Sequence, residues 1–132
     1  MPDMTALNGA TLAYVGDAVI ELYLREKLLI LGITDTGKLS ALAQKLVCAP
    51  MQSELTDLLL PMLTEEEEAA YRLGRNYHTR SKPKHATPAQ YNRATGMEAV
   101  FGYLHLTGKY ERSNSLLSQL YDNKIAQFKD MH

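Results

Sequence analysis

Two carboxylates stand where an ordinary packing helix would not place them. Asp17 lies in Tyr14-Val15-Gly16-Asp17-Ala18-Val19-Ile20, and Glu98 in Thr95-Gly96-Met97-Glu98-Ala99-Val100-Phe101. Aspartate is a poor helix former and is costly to bury unpaired, so an acid inside such a run calls for a cation nearby. Each acid is closely preceded by glycine and followed by alanine. Residues that small let two helix backbones approach and bring both carboxylates into one shallow site. A hard divalent ion such as Mg²⁺ suits two facing acids, because it keeps several waters, takes few carboxylates and often draws its remaining ligands from a phosphate. Such an ion activates a water and offsets charge on a phosphate in the transition state. The competing reading is that each acid simply pairs with an arginine or lysine of a neighbouring helix. Spacing alone leaves both open.

Other chemistries have less basis. The four histidines, at 78, 85, 105 and 132, form no His-Glu-x-x-His pattern, and Cys48 is the single cysteine, so zinc chemistry is not indicated. One cysteine makes no internal disulfide either, which points to a reducing, cytoplasmic setting. Glycine-rich phosphate loops, dinucleotide fingerprints and Gly-x-Ser-x-Gly are absent from the sequence. The opening residues resemble no signal peptide, and no apolar run approaches the roughly 20 residues that span a bilayer.

The net charge of −1 conceals a segregated distribution. From Ala69 to Met97 there is no acidic residue, while Arg72, Arg75, Arg80, Lys82, Lys84 and Arg93 are basic and His78 and His85 lie among them. Eight basic residues face fifteen acidic ones in the rest of the chain. A patch of that kind neutralises phosphates and releases their counterions, the physical basis of sequence-independent nucleic-acid binding. A solvated basic loop is the plain alternative.

The elements that must position these groups read as helices throughout, giving an all-α class. Leu12, Val15, Val19 and Leu22 share one face of a segment from about Thr11 to Leu31, and Ile20, Leu24 and Leu28 cover another, which predicts a central, buried helix ended at Gly32. Leu39, Leu42, Ala43 and Leu46 predict a second helix. Leu55, Leu58 and Leu59 predict a short third one closed by Pro61. Thr64 with Glu67, and Thr87 with Gln90 behind Pro88, form two capping boxes. The second opens a helix to about Thr107. Between the boxed helices, Asn76 to His85 is polar and basic without apolar period, hence a loop. A last helix spans about Arg112 to Phe128. At 132 residues the chain has room for one domain.

Leu12 to Leu22 resembles the first acidic helix of the ribonuclease III family, and Ala94 to Leu104 its second. Order and separation also match. Gly74-Arg75-Asn76 followed by a basic loop strengthens the likeness, which covers nearly the whole chain and favours the Mini-ribonuclease III subgroup. The resemblance implies one ribonuclease III-like domain over residues 1–132 with no double-stranded-RNA-binding domain. It implies a homodimer that hydrolyses double-stranded RNA with Mg²⁺ to leave 5′-phosphate and 3′-hydroxyl ends, and that matures the ends of the 23S ribosomal RNA precursor. Asp17 and Glu98 would then be the catalytic, metal-binding pair. The family pattern commonly adds an acid one turn before each, at positions held here by Ala13 and Thr95, so waters or phosphate oxygens would supply the missing ligands. RNA contact falls to Arg75, Asn76, His78, Arg80, Lys82 and Lys84, because duplex RNA is read mainly through its phosphates and 2′-hydroxyls. The contrasting class is a non-catalytic helical RNA-binding or ribosome-associated protein. A helical nucleotide hydrolase is a weaker third.

Overall fold

Asn8 starts the first helix, its side-chain oxygen accepting the backbone N–H of Thr11 at 2.9 Å. The computed structural model describes residues 7–77 and 85–130, within which the chain folds into α1 (Gly9–Ile30), α2 (Thr36–Val47), α3 (Ala49–Leu59), α4 (Glu65–Arg75), α5 (Pro88–Leu106) and α6 (Tyr110–Ala126). There is no strand among the described residues. The all-α class therefore holds. Gly32 and Gly108 follow α1 and α5 with φ of 98° and 75°, left-handed values that favour glycine and let the chain leave each helix sharply. Asp35 caps α2 by accepting from the Lys38 backbone N–H. As expected, α3 closes at Pro61: the α-helix ends at Leu59 and the chain tightens into a 3₁₀ turn, Leu60–Met62, that contains the proline.

The centre of the fold is α5. Ala94, Met97, Ala99, Val100, Phe101 and Leu104 are buried on several of its sides, and it packs against α1, α3, α4 and α6. The sequence reading assigned that central place to α1, and the structure corrects it. Ile20, Leu24 and Leu28 of α1 are fully buried, but Leu22, Leu29 and Ile30 are exposed at 60%, 51% and 76%. Apolar residues around a whole helix do not reveal how many neighbours the fold supplies; α1 lacks a partner over that outer face among the described residues. Asp17 consequently lies exposed rather than within the core.

Both capping boxes form as read. The first carries more than a helix start, since Glu67 is buried and receives Arg112 of α6 through two bonds of 3.0 Å, with a third Arg112 bond to the Met62 carbonyl at 2.6 Å. Burial pushes the Glu67 carboxyl up. The Arg112 guanidinium and the Thr64 N–H more than offset this and hold it below the usual carboxylate range. A depressed folded-state pKa means stabilisation that is present above the ordinary range and lost as pH falls through it. Arg112→Met should therefore cost about 2–3 kcal/mol at pH 7, because it strands a buried carboxylate. The gap to the wild type should narrow as pH falls below the ordinary carboxylate range, because Glu67 without its cation takes up a proton first, and parallel thermal melts at pH 7 and at acid pH check this.

Candidate active site

The two acidic helices meet at glycine. A Cβ on Gly16 of α1 would run into the Glu98 backbone carbonyl of α5, and a Cβ on Gly102 of α5 would run into the Leu12 carbonyl of α1. This reciprocal pair lets the backbones touch where Asp17 and Glu98 project. The expected role of the glycine beside each acid holds for Gly16 only. Gly96 instead makes room for the Tyr71 ring of α4.

With the backbones this close, the Asp17 and Glu98 carboxyl groups come within hydrogen-bonding reach. Both line a cavity of about 500 Å³ open to solvent, with Asp17 exposed and Glu98 half-buried. Burial foremost, together with its hydrogen bond with Asp17, the Asp17 charge and the Glu21 charge, pushes the Glu98 carboxyl up to about 9. Neither acid is neutralised by the protein as far as it is described. The ion pairs among the described residues join Arg25 to Glu21, Arg72 to Glu68, Arg93 to Asp57 and Arg112 to Glu67. The alternative of two structural ion pairs therefore finds no support there.

Two carboxyl groups that share a proton and face solvent are a set that a hard divalent cation fits, the cation taking the place of the proton. No group of three or more histidine, cysteine or acidic side chains is arranged for a metal among the described residues. Ala13 and Thr95 both line the cavity and bring no charge to it. Thr95 donates its hydroxyl to the Tyr91 carbonyl at 3.0 Å.

The expected RNA contacts are partly located. Arg75 ends α4, exposed, with Nε donating to the Asn76 side chain at 3.1 Å and its guanidinium 5.8 Å from the centre of the Tyr71 ring. Asn76 caps the same helix. His78, Arg80, Lys82 and Lys84 lie outside the described residues. Of the remaining basic residues in that stretch, Arg72 and Arg93 are engaged with acids. Tyr77 lines the cavity at 41% exposure. The sequence reading missed the opposite wall, where Gln44, Cys48 and Gln52 at the α2–α3 corner face the acids. Gln52 carried one usable signal: a polar residue one turn before the apolar Leu55 and Leu59 on the face that α3 buries.

Residues 10–109 match the family model described as the Ribonuclease III domain. The chain belongs to the ribonuclease III family. It is 44% identical over 120 residues to Mini-ribonuclease 3 of Streptococcus pneumoniae, covering 89% of this chain and 94% of that one. The protein of the same name from Enterococcus faecalis is also 44% identical over 120 residues, covering 89% and 91%. A crystal structure of a Fusobacterium nucleatum protein superposes with a TM-score of 0.83 at 27% identity, over 94% of this chain and 99% of that one. These likenesses place the chain among the mini-ribonucleases III, endoribonucleases of a family that acts on double-stranded RNA, and they overturn the non-catalytic reading. No helix among the described residues is long and apolar enough to cross a membrane.

Proposed function

We propose that Asp17 and Glu98 are the catalytic pair of this endoribonuclease and hold Mg²⁺ between them against a strand of duplex RNA. The observation that carries this is the meeting of the two carboxyl groups on an open cavity with no ion-pair partner for either among the described residues. When bound, the cation supplies Lewis acidity, making a water nucleophilic and offsetting charge at the phosphate. The chain's own part is placement. Asp17 offers its oxygens at the mouth of the cavity and Glu98 from deeper in the wall. Because Ala13 and Thr95 add no acid, the site keeps positions free for water and RNA phosphate oxygens.

Arg75 and Asn76 supply duplex contacts at the end of α4, joined by His78, Arg80, Lys82 and Lys84 in the segment that follows. These contacts go to phosphates and serve affinity rather than sequence choice. A two-fold homodimer sets one site on each strand, and the exposed Leu22, Leu29 and Ile30 of α1 offer apolar surface for an isologous interface. The products carry 5′-phosphate and 3′-hydroxyl ends. In the cytoplasm the substrate is the 23S ribosomal RNA precursor, cut near its ends.

Incubating purified protein with a labelled RNA duplex tests this reading. Defined fragments with 5′-phosphate ends should accumulate with Mg²⁺ and vanish with excess chelator. Duplex that binds yet stays intact under every divalent metal would end the proposal.

A further inference from the structure

Three buried side-chain atoms among the described residues have no hydrogen-bond partner in the protein: Gln52 Nε2, Arg93 Nε and Ser113 Oγ. Gln52 is the one that shares the cavity wall with Asp17 and Glu98. It is 2% exposed and stands on the buried face of α3 beside Leu55 and Leu59, where an apolar side chain would be the ordinary choice. A buried amide left with an unspent donor needs a reason, because its desolvation is otherwise uncompensated.

Of the wall's other side-chain donors, two are engaged, and Tyr14, Gln44, Tyr77 and Tyr91 are all less buried than Gln52. Thr95 gives its hydroxyl to the Tyr91 carbonyl, and the Cys48 thiol points to the Lys45 carbonyl at 3.7 Å. The Tyr121 hydroxyl donates to the Leu46 carbonyl at 2.9 Å; its oxygen lies toward the Gln52 amide, which approaches it without completing a hydrogen bond, and Tyr121 also neighbours Glu98. Tyr14 and Gln44 stand exposed at the rim. A carboxylate that gives one oxygen to a cation keeps lone pairs that need donors, and the groups that meet this need fix its orientation.

We propose that Gln52 is a positioning residue of the cleavage site, its side-chain amide donating from Nε2 to the Glu98 carboxylate and so fixing which oxygen Glu98 turns toward a bound cation. The inference rests on the reading of Asp17 and Glu98 as the metal-binding pair. In the metal-free protein the amide waits unspent, so that the arrangement costs stability at rest and serves the loaded site. The same trade distinguishes a functional polar group from a structural one.

The test uses Gln52→Leu and Gln52→Met, two apolar replacements of similar size, with Asp17→Asn alongside. Thermal melts of the metal-free proteins should show both Gln52 variants at or above the wild-type midpoint, since an orphaned donor has been removed. Mg²⁺ titration by calorimetry should show roughly tenfold weaker binding, and cleavage of duplex RNA should show kcat lower by about 10–100-fold, the usual loss when a ligand's orienting partner is removed. KM for the duplex should stay within about twofold, because Gln52 does not touch RNA. Wild-type Mg²⁺ affinity and kcat in both variants would overturn the proposal. So would unfolding of both, or midpoints that fall in step with activity, because the amide would then be structural. Full cleavage by Asp17→Asn would instead overturn the reading of the pair itself, which separates the two failures.

Discussion

Asp17→Asn is expected to fold like the wild type and to lose RNA cleavage by at least about a thousandfold, the order of several kcal/mol of transition-state charge stabilisation. Asparagine keeps the volume and one carbonyl oxygen while removing the charge. Asp17 is exposed at the mouth of the cavity, so its replacement disturbs no core packing, and the asparagine carbonyl can still accept from a protonated Glu98. The metal-free melting midpoint should therefore hold or rise while the rate collapses. Gel-shift titration with a duplex in chelator should show near-normal binding, since the phosphate contacts lie on other residues. A rate within tenfold of the wild type would remove Asp17 from the chemistry.

Gly16→Val should be the most damaging substitution for the fold. Even a single methyl at this position meets the backbone carbonyl of Glu98, which has no freedom to rotate aside as a side chain would. The contact between α1 and α5 is the most extensive in the molecule, so the two helices cannot part locally without exposing Leu12, Ile20 and Val100. A loss of about 3 kcal/mol or more is expected, at the upper end of overpacking costs. Chemical denaturation followed by circular dichroism measures it. Displacing the carbonyl of residue 98 also displaces the acid it carries, so any folded fraction should cleave slowly. An unchanged denaturation midpoint would mean that the helices cross elsewhere.

Much of this site was legible because charge and size are local properties. An acid in an apolar helix beside a glycine states both a chemical demand and a packing allowance; Gly16 met the allowance, while the demand rested on a buried Asp17 and the structure leaves Asp17 exposed beside a half-buried Glu98. The capping boxes at Thr64 and Thr87 were equally readable, since three-residue spacing determines their bonds. Burial was not readable. Leu22, Leu29 and Ile30 look like core residues in sequence and lie exposed, because burial depends on which helices the fold stacks against α1. The bond from Arg112 to Glu67 spans 45 positions, and no local pattern announces such a pairing. Gln52 shares a cavity with the acids only because of the α2–α3 corner, so its place depended on the tertiary fold. Gly96 shows the limit of motif symmetry: the same Gly-then-acid pattern serves the α1 crossing at Gly16 and an aromatic ring of α4 at Gly96.

The central claim is that one divalent cation sits between Asp17 and Glu98. Crystals soaked in Mn²⁺, as an anomalous scatterer standing in for Mg²⁺, test it directly through an anomalous difference map. A peak is expected at each active cavity with an oxygen of Asp17 and an oxygen of Glu98 both about 2.1 Å away, as a small hard dication requires. A map from cleavage-competent protein with the manganese bound elsewhere, or with either carboxylate turned away to an arginine or lysine, would contradict it.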